Sequence, residues 1–506
     1  MLHKGEIMKK ILTIILDGFG IRKDEYGNAT VAANMQTFNN LWHTYPHSVL
    51  EASEEAVGLL KGQAGNSEVG HMTIGAGRML KQNEIIVNEF LENPNIESKN
   101  LARLLKNKEK DVHIMGLCSD GNIHAGVDDF INMYKLLVNN GFTKIHFHLI
   151  TDGRDTGTHD AMKYINMIKN VISEFGIGDI VSVCGRYYAM DRDLNYDRTK
   201  VYYDLVTSGK GLNALSIERA IQQNYDNDIT DEFIKPIITS NNIIKNGDIL
   251  IWMNYRADRS KQLLNAIVNS NTFDEFRVKD LSNVEVYTFF EVDKKIITYS
   301  LIEHMKYKNT LGLYLSELKF TQARIAESEK FAHVTYFFDG GYDGKISGCD
   351  KINIPSPDVA TYDLKPEMSA VEVTKKAIQA MNTDYDFILV NYANADMLGH
   401  TGNMEAATDA CIAIDMCLSR ILEKAEENFY KVIILSDHGN VEVMLNFDGS
   451  PCTTHTITPV PFIICDDKIK LKETGSLVNV APTILDYMDI AIPNEMEGTE
   501  SLLIHE

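Results

Sequence analysis

The sequence has few cysteines and no long apolar run. Among 506 residues there are seven cysteines, and none forms a CxxC pair. A disulfide framework is therefore not expected, and an odd count in a long chain favours a reducing compartment, the cytoplasm. No apolar run reaches the length of a membrane-spanning helix, so no membrane partner is expected. The run ILTIIL at 11–16 is too short for the core of a signal peptide.

Positive charge is also scarce. The chain has 49 Lys and Arg residues against 71 Asp and Glu residues, which gives a net charge of −22. Nucleic acid is therefore not an expected partner, because phosphate backbones are bound by clustered cations. A small anionic substrate remains compatible with this balance if arginines and lysines gather locally.

Short apolar runs alternate with amphipathic helical patterns along the chain. The runs lie at 11–16, 112–117, 145–150, 180–184, 249–253, 333–338, 387–394 and 431–436. Runs that are apolar on both faces are typical of strands in a parallel sheet covered by helices. The clearest helical patterns lie at 160–175, 371–382 and 404–427. This alternation predicts an α/β protein.

The polar clusters that follow these runs divide into two kinds. Asp and His clusters lie near the N-terminus and after about residue 390, whereas Arg clusters lie between 154 and 259. Because 506 residues exceed the usual size of one core, we expect two α/β domains. The segregation predicts a discontinuous domain, 1–80 with 308–506, and an inserted domain, 81–307. The first seven residues carry no pattern, so Met8 is an alternative start.

Six strand-end residues from the two ends of the chain have the side chains of metal ligands. They are Asp17, Asp396, His400, Asp437, His438 and His455. Carboxylates and imidazoles without thiolates suit Mn²⁺ or Zn²⁺, and six ligands are more than one ion normally takes, so two ions are expected. Any one of these clusters, taken singly, is more often a helix cap or a surface hydrogen bond. Their joint occurrence at strand ends favours the metal interpretation.

The stretch GQAGNSEVGH at 62–71 places one serine, Ser67, among three glycines. Alone, it is more typical of a surface turn than of a site, because Gly, Asn and Ser are common turn residues. Beside the expected metal ions it gains a second interpretation, because a bound divalent cation lowers the pKa of a serine hydroxyl and makes it a nucleophile. The glycines would then leave room for a tetrahedral phosphorus. Both interpretations can hold together.

The middle of the chain offers groups that bind small anions. Arginine forms bidentate bonds to carboxylate and phosphate oxygens. Isolated arginines beside aspartates are more often surface ion pairs, but here several follow separate strands, which favours convergence on one anion. The candidates are His124, Arg154, Asp155, Arg186, Arg192, Arg256, Arg259 and, near a later strand, Lys330, for which a solvated lysine is the alternative.

The motifs resemble those of the cofactor-independent (2,3-bisphosphoglycerate-independent) phosphoglycerate mutases of the alkaline phosphatase superfamily. The resemblance runs from about residue 9 to the end of the sequence. It rests on LDGFG, GNSEVGHMTIGAGR, CSDGNIH, TDGRDT, GRYYAMDRD, ESEKFAHVTYFFDGG, PSPDVATYDLKPEMSA, NYANADMLGHTG and SDHGN.

The resemblance implies an isomerase that interconverts 3-phosphoglycerate and 2-phosphoglycerate through a phosphoserine. It implies a glycolytic and gluconeogenic enzyme, a monomer, with two divalent ions, Mn²⁺ favoured, and no 2,3-bisphosphoglycerate. Asp396, His400 and His455 would bind one ion. Asp17, Ser67, Asp437 and His438 would bind the other. Ser67, Asp155 and Lys330 would be catalytic, and Lys330 with the seven residues of the middle segment would hold the substrate.

Three other functions remain open on the sequence. A metal-dependent phosphomonoesterase could use the same core, although it needs no inserted domain to hold its alcohol product. A phosphopentomutase is related, but its motif spacing does not fit TDGRD and GRYYAMDRD. A catalytically dead binding protein is disfavoured because all the expected metal ligands are present.

The three candidate histidine ligands predict a pH dependence. Protons compete with metal for neutral imidazoles, so activity should fall steeply below about pH 6.5, the pKa of free histidine. Added Mn²⁺ should restore part of it. The measurement is the rate against pH at limiting and at excess metal, and a flat profile down to about pH 5 at limiting metal would contradict the prediction.

Overall fold

The computed structural model describes residues 9–94, 98–302, 307–496 and 498–505. Met1 and Met8, the two candidate starts, lie outside these residues. The chain divides into two compact units. The first comprises Met1–Lys81 with Lys306–Glu506, and the second comprises Gln82–Met305.

The described residues form sixteen strands and sixteen α-helices. The strands are β1 (Lys10–Leu16), β2 (His47–Glu51), β3 (Val112–Leu117), β4 (Ile145–Thr151), β5 (Asp179–Gly185), β6 (Leu212–Asn213), β7 (Ile237–Ile238), β8 (Ile249–Trp252), β9 (Glu285–Thr288), β10 (Tyr299–Ser300), β11 (Gln322–Glu327), β12 (Cys349–Ile354), β13 (Phe387–Tyr392), β14 (Tyr430–Leu435), β15 (Val460–Ile464) and β16 (Thr474–Ser476).

The helices are α1 (Ala29–Ala32), α2 (Gln36–Thr44), α3 (Ser67–Ala76), α4 (Asn83–Glu92), α5 (Lys99–Lys106), α6 (Val127–Asn139), α7 (Ala161–Phe175), α8 (Arg186–Ala189), α9 (Tyr196–Ser208), α10 (Ile217–Tyr225), α11 (Lys261–Val268), α12 (Leu311–Glu317), α13 (Ala370–Thr383), α14 (Asn394–Gly399), α15 (Met404–Glu427) and α16 (Val480–Tyr487). Within the described ranges, none of them is both long and apolar enough to cross a bilayer.

The first unit is built on one eight-stranded sheet in the order β12-β11-β13-β1-β14-β15-β2-β16. The strands from β12 to β14 are parallel, and β15 is antiparallel to both of its neighbours. Alternate residues of β1 enter different cores: Leu12 and Ile14 pack with one set of helices, Ile11 and Ile15 with another. The sheet is therefore covered on both faces, which explains the uninterrupted apolar runs of its central strands.

The second unit contains another eight-stranded sheet in the order β10-β9-β8-β3-β4-β5-β7-β6. All of its strand pairs are parallel except that of β5 with β7. One continuous core of buried side chains joins it to its helices. The prediction of an α/β protein with two α/β domains, each with a largely parallel sheet, is confirmed.

One predicted strand is wrong. The run at 333–338, HVTYFF, forms a π-helix at His333–Phe337 instead. Val334 and Phe338, four residues apart, are fully buried, whereas Tyr336 is exposed. This spacing is helical, and a short apolar run does not by itself distinguish a strand from a buried helix.

The close packing of helix α3 against the backbone at Phe338 can be tested by substitution. A Cβ atom at Gly75 would lie 1.9 Å from the carbonyl oxygen of Phe338. Gly75→Ala should lower the free energy of unfolding by about 1–3 kcal/mol, because this clash outweighs the gain of about 1 kcal/mol in helix propensity. Urea-induced unfolding measures the change. The control Gln379→Ala, at an exposed position of α13, should change stability by less than about 0.5 kcal/mol; equal stability of the two variants would contradict the prediction.

Candidate metal centre and anion site

Four parallel strands of the first sheet end side by side, and a candidate residue follows each of them. The strands β11, β13, β1 and β14 are neighbours in that order. Their ends lead into Lys330, Asp396, Asp17 and Asp437 respectively. Because β15 is antiparallel to β14, the loop that precedes β15 and carries His455 returns to the same edge. Residues from both ends of the chain thus meet where open α/β sheets bind their ligands.

Ser67 reaches this edge as the first residue of α3. The side chain of Asn66 caps the helix by accepting a hydrogen bond from the Val69 amide at 3.0 Å. Gly70 lets the helix approach the loop that carries Asp437, since a Cβ atom at Gly70 would lie 2.6 Å from the Asp437 carbonyl oxygen. Ser67 is buried. The glycine-rich stretch therefore forms part of the site, and close packing against the loop that carries Asp437 holds it there.

Asp396, His400 and His455 converge on one point. Asp396 Oδ1 lies 3.3 Å from His400 Nε2 and 3.1 Å from His455 Nε2, and the two Nε2 atoms are 3.0 Å apart. His438 Nε2 is 3.8 Å from the same oxygen. The grouping of Asp396, His438 and His455 meets the spacing expected of metal ligands.

The hydrogen bonds of these imidazoles leave their Nε2 atoms available to a metal. A carbonyl oxygen only accepts, so a ring nitrogen beside one carries the hydrogen. Each Nδ1 lies by a backbone carbonyl oxygen: His400 by Thr453 at 2.9 Å, His455 by Gly65 at 2.9 Å and His438 by Gly439 at 3.2 Å. In neutral rings the Nε2 lone pairs then face each other and a carboxylate, an arrangement that a cation stabilises.

Asp17, Ser67, Asp437 and His438 form the second cluster. Ser67 Oγ lies 3.1 Å from Asp17 Oδ1 and 3.0 Å from His438 Nε2. Asp437 Oδ2 is a buried oxygen 3.7 Å from His438 Nε2 and 3.1 Å from His71 Nδ1, and it accepts no well-aligned hydrogen bond from the described residues. Buried carboxylate oxygens without donors are rare, and a divalent cation is one partner that satisfies them. The residues of both clusters therefore fit metal ions.

The ammonium group of Lys330 lies within these carboxylates. Its Nζ donates to Asp17 Oδ1 at 2.8 Å, to Ser67 Oγ at 2.6 Å and to Asp396 Oδ2 at 2.6 Å. Burial alone would lower the pKa of Lys330, but Asp17, Asp396 and Asp437 outweigh burial and raise it. The same carboxylates act on His438: burial lowers its pKa, and they raise it to about 10. In the absence of metal, Lys330 and His438 thus balance the buried negative charge.

His71 belongs to this site and is absent from the sequence-based candidates. Asp17, His71 and Asp437 form a second grouping with metal-ligand spacing. However, His71 Nδ1 lies 2.9 Å from the Ser67 carbonyl oxygen, and its Nε2 lies 3.0 Å from Asn391 Nδ2, which also donates to Asp17 Oδ2 at 2.7 Å. Its Nδ1 also lies 3.1 Å from Asp437 Oδ2. Because both ring nitrogens have partners, His71 bridges the candidate ligands rather than adding one. Its position four residues after Ser67, on the same helix face, is the signal that could have revealed it.

The second unit gathers arginines at the carboxyl ends of its strands. Arg154, Arg186, Arg192 and Arg259 line one pocket. Burial, and then the charges of the other three arginines, lower the pKa of Arg259. Four guanidinium groups that repel one another in an otherwise acidic chain favour the binding of an anion.

Two further candidates of the second unit are tied to this arginine group. Arg186 Nη1 donates to a carboxylate oxygen of Asp155. His124 is buried, and its pKa falls to about 4 because of burial and the charge of Arg186. Its Nδ1 lies 4.0 Å from Asp258 Oδ1, and neither atom has a hydrogen-bond partner among the described residues. Asp258 was not among the candidates, although the sequence NYRADR contains it.

Arg256 lies in the NYRADR segment, and its positive charge contributes to the lowered pKa of His124.

Of the fifteen candidates, eight lie in the first unit: Asp17, Ser67, Lys330, Asp396, His400, Asp437, His438 and His455. The other seven lie in the second unit: His124, Arg154, Asp155, Arg186, Arg192, Arg256 and Arg259. The sequence predicts Lys330 as a substrate contact. Within its own unit, its ammonium group contacts Asp17, Ser67 and Asp396, which are candidate metal ligands.

Comparison with known families agrees with this chemistry. The model of the metalloenzyme superfamily matches residues 9–492. A protein of Parabacteroides distasonis named 2,3-bisphosphoglycerate-independent phosphoglycerate mutase is 42% identical over 506 residues, 97% of this chain and 99% of its own length. A protein of Prochlorococcus marinus with the same name is 39% identical, over 96% of this chain and 93% of its own length.

A solved structure is similar over the whole chain. It is a phosphoglycerate mutase of Leishmania mexicana, crystallised at low cobalt concentration. The two chains share 26% sequence identity, with a TM-score of 0.75, and the match covers 100% of this chain and 99% of the other.

The position of Lys330 predicts a stability that depends on metal. Lys330→Met removes the ammonium partner of buried carboxylates, so it should cost about 3–5 kcal/mol in the metal-free protein. Added Mn²⁺ should recover most of this loss, because binding to the folded state stabilises it. Thermal unfolding with chelator and with Mn²⁺ measures both effects.

The matched control is Lys375→Met, whose ammonium pairs with the exposed Glu372. It should leave both thermal midpoints unchanged. If Lys330→Met behaved like this control in the presence of chelator, the charge-balancing role of Lys330 would be wrong.

Proposed function

The chain belongs to the 2,3-bisphosphoglycerate-independent phosphoglycerate mutases, and we propose that it interconverts 3-phosphoglycerate and 2-phosphoglycerate through a phosphoserine at Ser67. The observation that carries the proposal is the position of one hydroxyl. Ser67 Oγ lies within hydrogen-bond distance of Asp17, His438 and Lys330, at the edge where metal ligands from both ends of the chain meet.

Ser67 acts as the nucleophile in this proposal. Its hydroxyl donates to Asp17 Oδ1, which orients Oγ for attack on phosphorus. Lys330 keeps its proton, because the surrounding carboxylates raise its pKa, and its positive charge stabilises the phosphoryl oxygens. Ser67 also begins a ten-residue helix, whose N-terminal dipole favours the negative charge of a phosphoserine.

Two divalent cations complete the site. Bound there, they would lower the pKa of the serine hydroxyl and neutralise phosphoryl charge. We assign one to Asp396, His400 and His455 and the other to Asp17, Asp437, His438 and Ser67. Mn²⁺ is the ion we propose, since the donors are carboxylate oxygens, imidazole nitrogens and a hydroxyl, without thiolate. Elemental analysis of the purified protein tests this assignment.

We assign the holding of substrate to the second unit. Arg154, Arg186, Arg192, Arg256 and Arg259, with His124, would bind the carboxylate and phosphate groups of phosphoglycerate. After the phosphoryl group has moved to Ser67, they would retain glycerate. Asp155 would then accept the proton of the hydroxyl that attacks the phosphoserine, so no 2,3-bisphosphoglycerate is needed.

The remaining assignments concern the state of the protein. We propose a cytoplasmic monomer. All seven cysteines are free, which suits a reducing compartment. Sedimentation measures the oligomeric state.

A metal-dependent phosphomonoesterase is the alternative, because it could use the same serine and ions. The arginine group of the second unit favours the mutase, since a hydrolase has no need to retain its alcohol product. Incubation with 3-phosphoglycerate separates the two. Formation of inorganic phosphate without 2-phosphoglycerate would favour the hydrolase.

Ser67→Ala tests the nucleophile. It should lower mutase activity at least about 1,000-fold, as expected when a covalent nucleophile is lost, while metal remains bound to the other ligands. Mass spectrometry of the unaltered protein quenched with substrate should find a phosphoryl group on the peptide that contains Ser67. That adduct should be absent from the variant.

Ser48→Ala is the matched control. Ser48 is also buried in the first unit, and its hydroxyl donates to the Lys472 carbonyl oxygen. This variant should keep its activity and the phosphoryl adduct. A Ser67→Ala variant that retained full activity would refute the proposed intermediate.

A further inference from the structure

Asp152 is a buried carboxylate beside the arginine group, and the proposed reaction gives it no role. It follows β4 directly, as the first aspartate of TDGRD, and its side chain is 1% exposed. An aspartate is almost never fully buried unless it is paired. Its partners therefore show what it is there to hold.

Four donors surround this one carboxylate. Oδ1 accepts hydrogen bonds from the backbone N–H groups of Arg154 at 3.2 Å and Asp155 at 3.0 Å, and from Arg186 Nη1 at 2.7 Å. Oδ2 accepts from Ser119 Oγ at 2.7 Å. Three of these donors belong to residues that we assign to the substrate, so one buried group fixes all three.

These hydrogen bonds join separate segments of the second unit. Ser119 is the second residue of the loop CSDGNIH, which contains His124, and its Oγ also accepts from the Gly121 amide at 3.4 Å. A Cβ atom at Gly121 would lie 3.1 Å from Asp155 Cβ, so this loop packs closely on the TDGRD loop. A shift of Asp152 would therefore move both loops as well as the side chain of Arg186.

The negative charge of Asp152 contributes to holding Arg186, in addition to its hydrogen bonds. Burial raises its pKa, but the Asp155 amide, Ser119 and Arg186 outweigh burial and lower it, so the group is ionised. Arg186 has only 3% of its side chain exposed and lies close to other arginines. A permanent anion behind Arg186 holds that guanidinium in place without occupying the pocket in front of it.

We propose that Asp152 is the positioning residue that fixes Arg154, Asp155 and Arg186 for the glycerate part of the substrate. By doing so it determines how often the phosphoryl group returns to glycerate rather than to water. This inference rests on the proposed function. If glycerate is held loosely, it leaves before the second transfer. Water then attacks the phosphoserine, the P–O bond to Ser67 breaks, and the products are inorganic phosphate and free serine hydroxyl.

Asp152→Asn is the decisive variant. The amide oxygen can still accept from the Arg154 and Asp155 backbones, but Arg186 keeps only one of its two carboxylate partners, Asp155. The KM for 3-phosphoglycerate should rise about ten- to a hundredfold, as expected for misplaced binding groups. The fraction of turnover that ends as inorganic phosphate should rise severalfold. A purely structural role would lower kcat with the folded fraction and leave KM and this fraction unchanged.

The control is Asp179→Asn, at the other end of the same sheet. Asp179 Oδ2 accepts from Ser240 Oγ at 2.7 Å and Asn242 Nδ2 at 3.1 Å. It should leave KM and the product ratio unchanged. If Asp152→Asn does not fold, Ser119→Ala provides the test. It removes the hydrogen bond to Oδ2 and the longer one from the Gly121 amide, and it should shift both quantities in the same direction by a smaller factor.

The outcomes separate this inference from the proposed function. If the unaltered protein forms no 2-phosphoglycerate, the proposed function fails, and equilibrium binding of 3-phosphoglycerate to the unaltered protein and the Asp152→Asn variant still judges the role of Asp152. If the unaltered protein is a mutase and a folded Asp152→Asn variant keeps its KM and product ratio, the role of Asp152 is refuted. The same holds if the variant binds 3-phosphoglycerate as tightly as the unaltered protein.

Discussion

Buried negative charge at one edge of the first sheet governs the structure of the site. Asp17, Asp396 and Asp437 are all buried there, and a buried carboxylate is unfavourable unless a cation or several donors oppose it. The neighbouring polar groups meet this requirement. Lys330 lies among the carboxylates, the imidazoles present Nε2 atoms, and the donor set suits divalent ions. The position of Ser67 within this group turns a balance of charge into a potential reaction centre.

The order of the strands produces this concentration of charge. β1 lies between β13 and β14, so the first strand of the chain is flanked by two strands from its last quarter. Because all three are parallel, their polar ends share one edge, and the antiparallel β15 brings His455 back to it. In the second unit, the groups gathered at the carboxyl ends of the strands are positively charged arginines. There, the buried Asp152 pairs with Arg186 at a strand end.

Much of this could be predicted from the sequence, because the central strands are buried on both faces and are therefore apolar throughout. The α/β class and most central strands follow from those runs. The edge strand β16 and its neighbour β2 do not, because both are partly exposed and lack such runs. The π-helix at His333–Phe337 was mistaken for a strand because five residues are too few to show a period.

The residues of the candidate site were likewise predictable from the sequence only in part. Residues at strand ends were found because topology alone brings them together. His71 and Asp152 were missed because their importance lies in which atoms they contact, and that depends on packing. In sequence, Asp152 is one aspartate among many, and His71 lies inside a helix. Only in the folded chain do the polar atoms of each contact several site residues at once.

The central place of β1 has a consequence for synthesis on the ribosome. This apolar strand is translated long before its neighbour β14, which begins only at Tyr430. At about 5–20 residues per second, the strand waits roughly 20 to 80 seconds for that partner. The second unit, which is continuous in sequence, can complete its own sheet meanwhile. A nascent chain of this kind therefore carries an unpaired hydrophobic segment for most of its translation.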